Sequence, residues 1–133
     1  VPVLDDSLLG ELARDFRRRA AERSLEQSLQ AGSRLKQIAA DFVRQWSAFD
    51  VVATPAMASI PPKIGHNTQS TADVDYMLQC QYTPYTSMVN VASVAAITVP
   101  VGHSNEGLPM SIQLISPRSD EGLLLALAAQ MQL

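Results

Sequence analysis

The sequence predicts an α/β fold in which helices pack on a central sheet, and three observations lead there. A proline-free stretch from Asp5 to Phe49 repeats apolar residues at helical spacing. Three later runs, Val51–Thr54, Ala96–Val99 and Ser111–Ile115, are short, apolar and bounded by proline, glycine or serine, as buried strands are. Asp120 to Leu133 then forms an apolar closing segment with a capping side chain at its start. Helix and strand periodicities in this order bury their apolar faces best as layers around one sheet.

Size and charge narrow the class. With 133 residues the chain fits one domain, since single cores usually stop growing only beyond about 250 residues. A content of 47% hydrophobic and 17% charged residues, with mean hydropathy +0.04, places it among globular chains. A net charge of -3 gives no basic surface for a phosphate backbone, so nucleic acid is not expected as a partner. The one cysteine, Cys80, can form neither an internal disulfide nor a thiolate metal site, which suits a reducing, cytoplasmic setting. The longest apolar run, Leu123 to Ala129, is far shorter than the roughly 18 residues a membrane span needs. The chain opens Val1-Pro2 without an initiator methionine or a signal core, and is expected to be a piece of something longer.

The front, residues 1–48, reads as helix in two parts. Leu8, Leu12 and Phe16 form one stripe, and Leu25, Leu29, Leu35, Ile38, Phe42 and Trp46 form another, out of phase with it. The break falls near Ser24, where Ser24-Leu25-Glu26-Gln27 matches a capping box. Gly32 weakens the second helix by about 1 kcal/mol relative to alanine and is a candidate interruption. In the back, residues 49–133, Asp50 to Thr54 reads as a strand stopped by Pro55, and Ser59 to Asp75 as an irregular loop. Pro84 to Ala92 reads as a helix with proline in its first turn. Ala95–Val101 and Met110–Ser116 form a hairpin around Asn105-Glu106-Gly107, and Ser119 or Asp120 caps the closing helix.

Local motifs do not by themselves assign a chemistry. Ser33-Arg34-Leu35-Lys36 has the spacing that puts an amine one helical turn from a hydroxyl, but its companion serine and lysine motifs are absent, so it reads as an exposed helix face. His66 and His103 have no second histidine or acid at a metal-ligand spacing. Asp73-Val74-Asp75 lacks the glycine and distal glutamate of a calcium loop and reads as solvated loop carboxylates. Arg17-Arg18-Arg19 is a basic run whose members find i+4 partners in Asp15 and Glu22. Cys80 has no neighbouring base or cation and reads as structural.

A resemblance adds what motifs do not. Phe49-Asp50-Val51-Val52-Ala53-Thr54-Pro55, then Pro61-Pro62, then Tyr82-Thr83-Pro84-Tyr85-Thr86-Ser87-Met88-Val89-Asn90-Val91-Ala92, then Ala96-Ile97-Thr98-Val99-Pro100-Val101-Gly102, then Gly107-Leu108-Pro109-Met110-Ser111-Ile112-Gln113-Leu114-Ile115 resembles the C-terminal region of amidase signature enzymes. It covers about residues 49 to 130, with Asp120-Glu121-Gly122-Leu123-Leu124 resembling the start of the family's closing helix. The sequence departs from the family pattern at Ser93-Val94-Ala95, where Gly-x-Pro is usual, and at Ser111 and Ser116, where glycines flank the final strand. Glycine in a strand marks close backbone approach, so packing is expected to differ there.

The resemblance implies the C-terminal part of an amidase fold, a mixed sheet flanked by helices. It also implies a Ser/cis-Ser/Lys hydrolase acting on small-molecule amides, with no cofactor, metal or nucleic acid. Its catalytic groups are expected upstream: the family's glycine- and serine-rich segment is absent, and Lys36 and Lys63 are the only lysines, neither in the family's context. The chain is therefore expected to supply core strands and part of the pocket wall, with Tyr82, Thr83 and Ser87 near the acyl pocket. Thr83 carries a second reading as the N-cap of the helix after it, ahead of Pro84. A homo-oligomer is expected, because faces cut from a larger sheet would be exposed. The alternatives are a noncatalytic helical interaction module built on residues 5–49 and a degenerate family member.

Overall fold

The computed structural model describes residues 5–68 and 70–132. The Asp5 carboxylate accepts from the Ser7 amide at 2.9 Å and starts a single 3-10 turn, Asp6–Leu8. Helix α1 (Glu11–Ala21) and helix α2 (Leu25–Trp46) follow, separated where the sequence places the break. Ser24 Oγ accepts from the Gln27 amide at 3.1 Å while Gln27 Oε1 accepts from the Ser24 amide at 3.0 Å, the reciprocal bonding of a capping box. Gly32 does not interrupt α2, which runs 22 residues through it. A penalty of about 1 kcal/mol at one position does not break a long helix that leans on a neighbour. Here the neighbour is helix α4 (Thr86–Ala92).

The three expected strands, β1 (Val52–Pro55), β2 (Ala95–His103) and β3 (Pro109–Ser116), form one sheet in the order β1-β3-β2. Both pairings are antiparallel, with Thr54 and Thr98 flanking Gln113 from either side. As the central strand, β3 is buried from Gln113 to Ser116, and Ile115 and Ser116 are 0% exposed. The hairpin turn is held by Ser104, whose Oγ accepts from the Glu106 and Leu108 amides at 3.3 and 3.2 Å, with Gly107 at φ 78°. The β2 register shifts between Pro100 and Gly102, so Val101 is the extra residue of a bulge.

Helix α5 (Glu121–Gln130) covers one face of the sheet, where Leu124 packs with Val99 and Leu114. Of its two candidate caps the structure uses Asp120, whose Oδ1 accepts from the Leu123 amide at 2.8 Å. Arg118 bridges to Asp50 at 2.7 Å, tying the exit of β3 to the entry of β1.

Two expectations are corrected. The irregular segment ends at Ser70, because Thr71 caps a helix, α3 (Ala72–Tyr82), with Asp73 and Asp75 favourably placed in its first turn. Asp73 and Asp75 are thus helix residues, and Asp75 is buried. Thr83 is not the N-cap of α4. It closes α3, with both its amide and its Oγ1 donating to the Gln79 carbonyl at 3.0 Å, and α4 starts beyond Pro84 at Thr86. Among the described residues no helix is long and apolar enough to cross a membrane.

Candidate functional site

The site is assembled where β1 runs out at Pro55. The next residues cannot continue the ladder, so their amides find other acceptors: Ala56 donates to the Ser111 carbonyl at 3.1 Å and Ala58 to the Tyr82 carbonyl at 3.0 Å. These two bonds hang the Ala56–Pro61 segment between the start of β3 and the end of α3. A groove of about 390 Å³ lies between them, with Met57, Ile60, Met110 and Tyr82 on its walls and the hydroxyls of Ser59, Thr98 and Ser111 as its polar points. On the other side of Tyr82 a second groove of about 310 Å³ carries Leu78, Gln81 and His66. Tyr82 and the Ala58–Ser59 backbone are the ridge the two grooves share.

Of the residues the resemblance places near the acyl pocket, Tyr82 lines both grooves, while Thr83 and Ser87 line neither. Thr83 is half-buried as the C-cap of α3, and Ser87 is exposed in the first turn of α4. Sequence reasoning missed Met57, Ile60 and Met110, which come from segments that meet only through the two backbone bonds. It also missed Gln113, 4% exposed on the sheet face it shares with Ser111 and Thr98. Gln113 Nε2 and Thr54 Oγ1 are buried without hydrogen-bond partners among the described residues. The readable signal for Gln113 was strand alternation, which sets a polar side chain on a face that must be covered.

A charged cluster lies apart from the grooves and fastens α1 to α3. Asp15 pairs with Arg18 at 2.5 Å and Arg19 at 2.6 Å, Arg18 reaches Glu22 at 3.0 Å, and Arg19 crosses to Asp73 at 2.5 Å. The bonds to Asp15 and to Asp73 raise the guanidinium pKa of Arg18 and Arg19 respectively. Phe16 meets Tyr76 edge to face at 5.0 Å, and a hydrogen bond with Cys80 raises the Tyr76 phenol pKa. Arg18 finds its partners within α1 and at its C-cap, and Arg19 reaches across to Asp73, so these two arginines brace α1 and dock it on α3.

Among the described residues no nucleophile meets a base around the grooves. Ser59 donates to the Ile60 carbonyl at 3.2 Å, and Ser33 and Lys36 are exposed on α2. Among the described residues no three His, Cys, Asp or Glu side chains gather to hold a metal ion; His66 opens a short 3-10 turn, His66–Thr68, inside the irregular segment, and His103 ends β2. What the grooves offer among the described residues is an apolar wall with the hydroxyls of Ser59, Thr98 and Ser111 along it.

Comparison with known proteins places these features in a family. The Amidase family model matches residues 4–125. AmiB2 of Mycobacterium tuberculosis, named as an amidase, is 39% identical over 116 residues, covering 87% of this chain and 23% of that protein. AmiC of Mycobacterium bovis, also named as an amidase, is 28% identical over 130 residues, covering 98% of this chain and 27% of its own length. The solved structure of 6-aminohexanoate cyclic dimer hydrolase superposes with a TM-score of 0.87 at 23% identity, over 97% of this chain and 28% of that one, and so shares the fold. The chain spans about a quarter of the length of the curated relatives it matches.

Proposed function

The chain belongs to the amidase family, and on that premise we propose that it is the C-terminal part of a hydrolase of amide C–N bonds. In this reading a Ser/cis-Ser/Lys triad upstream of these residues forms the acyl-enzyme. Residues 1–133 contribute the β1-β3-β2 sheet and the wall of the substrate pocket as one unit: a helical part, 1–48, and a strand, loop and helix part, 49–133. Tyr82 is the pocket-wall residue, with Thr83 and Ser87 on the segment that carries it, and a small-molecule amide is the substrate.

One observation carries the reading: the chain has family-like strands and a substrate-sized groove, while its only lysines, Lys36 and Lys63, are exposed and have no serine partner among the described residues. Acyl transfer needs nucleophile, base and oxyanion donors within hydrogen-bond reach. The pure 133-residue chain is therefore expected to release no ammonia from aliphatic or aromatic amides above a buffer blank. The same assay on the protein carrying the whole amidase fold is expected to show release. Turnover by the short chain overturns the reading.

Self-association accompanies it. Leu35 and Ile38 lie exposed on α2, with Phe42 and Trp46 half-buried further along the same side, a stripe that a second copy or a partner helix would cover, as it would the closing helix around Leu123 and Leu127. This stripe also favours the alternative of a helical interaction module. Light scattering after size exclusion is expected to give a mass above 14.4 kDa for the isolated chain, and a concentration-independent monomer contradicts it. We further propose a cytoplasmic location, on the lone cysteine, and neither nucleic acid nor membrane as a partner, on the net negative charge and the lack of a long apolar helix among the described residues.

A further inference from the structure

We infer that the N-terminal half of α2 pairs antiparallel with the same half of a second copy of this chain, along a seam of Leu25, Leu29, Gly32 and Lys36. The inference rests on the self-association proposed above and adds a face to it, in the other half of the helix from Ile38, Phe42 and Trp46. Helix α4, the main element packed against α2, has 7 residues to its 22, so at ~1.5 Å per residue about 10 Å of helix meets about 33 Å. The half-buried Ala39, Phe42, Val43 and Trp46 all lie in the second half of α2. Every residue from Leu25 to Ala31 is exposed, Leu25 at 76% and Leu29 at 65%. Two large apolar side chains one turn apart on such a stretch form a docking stripe.

Three features favour a second copy as the occupant. The seam residues follow one another at steps of four, three and four, which place them on one side of the helix and read the same in both directions. A two-fold axis between Gln30 and Ala31 therefore sets Leu29 over the partner's Gly32, and Leu25 along the stem of the partner's Lys36, twice each. Gly32 is the second feature. A Cβ built on it meets nothing within 4 Å, so no close approach inside the chain accounts for a residue that weakens a helix relative to alanine. Its bare backbone leaves room for the facing leucine. Charge is the third. Lys36 makes no ion pair among the described residues, and Glu26 accepts only from Gln30 Nε2 at 3.1 Å. An antiparallel copy brings Lys36 beside Glu26 at both ends of the seam, whereas a parallel one would set Lys36 against Lys36.

Three helical turns from each copy bury less than the ~1,200 Å² of a standard interface, so the pair is weak and concentration-dependent. Light scattering after size exclusion, over a concentration series of the 133-residue chain, is expected to show the mass climbing from 14.4 kDa toward twice that value. Leu29→Glu, at a position whose loss removes little packing from the monomer, holds the mass at 14.4 kDa with the helical signal unchanged. Lys36→Glu and Glu26→Lys each weaken the pairing about fivefold, because two attractions become two repulsions, and the double exchange restores it. A monomer at every concentration overturns this inference together with the self-association reading. Association that survives Leu29→Glu and is lost in Ile38→Glu leaves that reading standing on its own stripe and overturns the inference, as does a double exchange that restores nothing. In the enzyme carrying the whole amidase fold, a Leu29→Cys thiol that stays blocked to a thiol reagent at every dilution gives the seam to the upstream part and overturns it too.

Discussion

The sheet and α5 are held together chiefly by one small core, and Leu124→Ala measures it. Leu124 is 2% exposed and packs against Val99 and Leu114, with Ile97, Ile112 and Leu127 partly buried around them. Cutting the side chain back to alanine removes three buried carbons, worth about 2.4 kcal/mol at ~0.8 kcal/mol per methylene. The cavity left behind adds to this, giving about 3–4 kcal/mol in total. Domains are usually stable by only ~5–15 kcal/mol, so the change is a large fraction of the whole. In urea unfolding followed by circular dichroism, a slope of about 1–3 kcal/mol per molar lowers the midpoint by roughly 1–4 M. The adjacent Leu125→Ala is the control: Leu125 is 62% exposed, and its loss is expected to change stability by no more than about 0.5 kcal/mol. Equal effects at the two positions, or a larger one at Leu125, would mean that α5 docks by another face and would refute the packing argument.

Two further substitutions test local claims. Ser24→Ala removes one half of the capping box at the head of α2 and is expected to cost about 1 kcal/mol, with a loss of helical signal; an unchanged melt counts against the cap. Because the bond with Cys80 raises the Tyr76 phenol pKa, it stabilises the fold below the ordinary phenol value, and that contribution fades as pH climbs through the raised one. Cys80→Ala is expected to move the Tyr76 phenolate absorbance transition to lower pH, and an unmoved midpoint contradicts the bond.

What could be read from the sequence follows the physics of each segment. The strands were legible because their apolar runs are short and punctuated, and the α1–α2 break because Ser24 and Gln27 cap locally. Helix α3 was not: Tyr76 and Met77 are about half exposed and its apolar residues form no stripe, so the Thr71 cap and the acids after it were the only local signal. The closing helix was legible as a helix but not in its facing, since Leu123, Leu124, Leu125 and Leu127 surround it with apolar groups. In the candidate site, Tyr82 entered through family resemblance, whereas Met57, Ile60 and Met110 become neighbours only when the Ala56 and Ala58 amides bond to Ser111 and Tyr82. Such tertiary bonds between remote segments leave no periodic trace in a sequence.

The central claim is that the chemistry is performed by groups outside residues 1–133 while these residues build the wall. A serine-directed organophosphorus reagent tests it most directly when applied to the full-length enzyme and followed by peptide mapping of the adduct. The account predicts one adduct on a serine outside residues 1–133, blocked by a competing amide. An adduct on a serine of this stretch, such as Ser33 with Lys36 one turn away on α2, would contradict it.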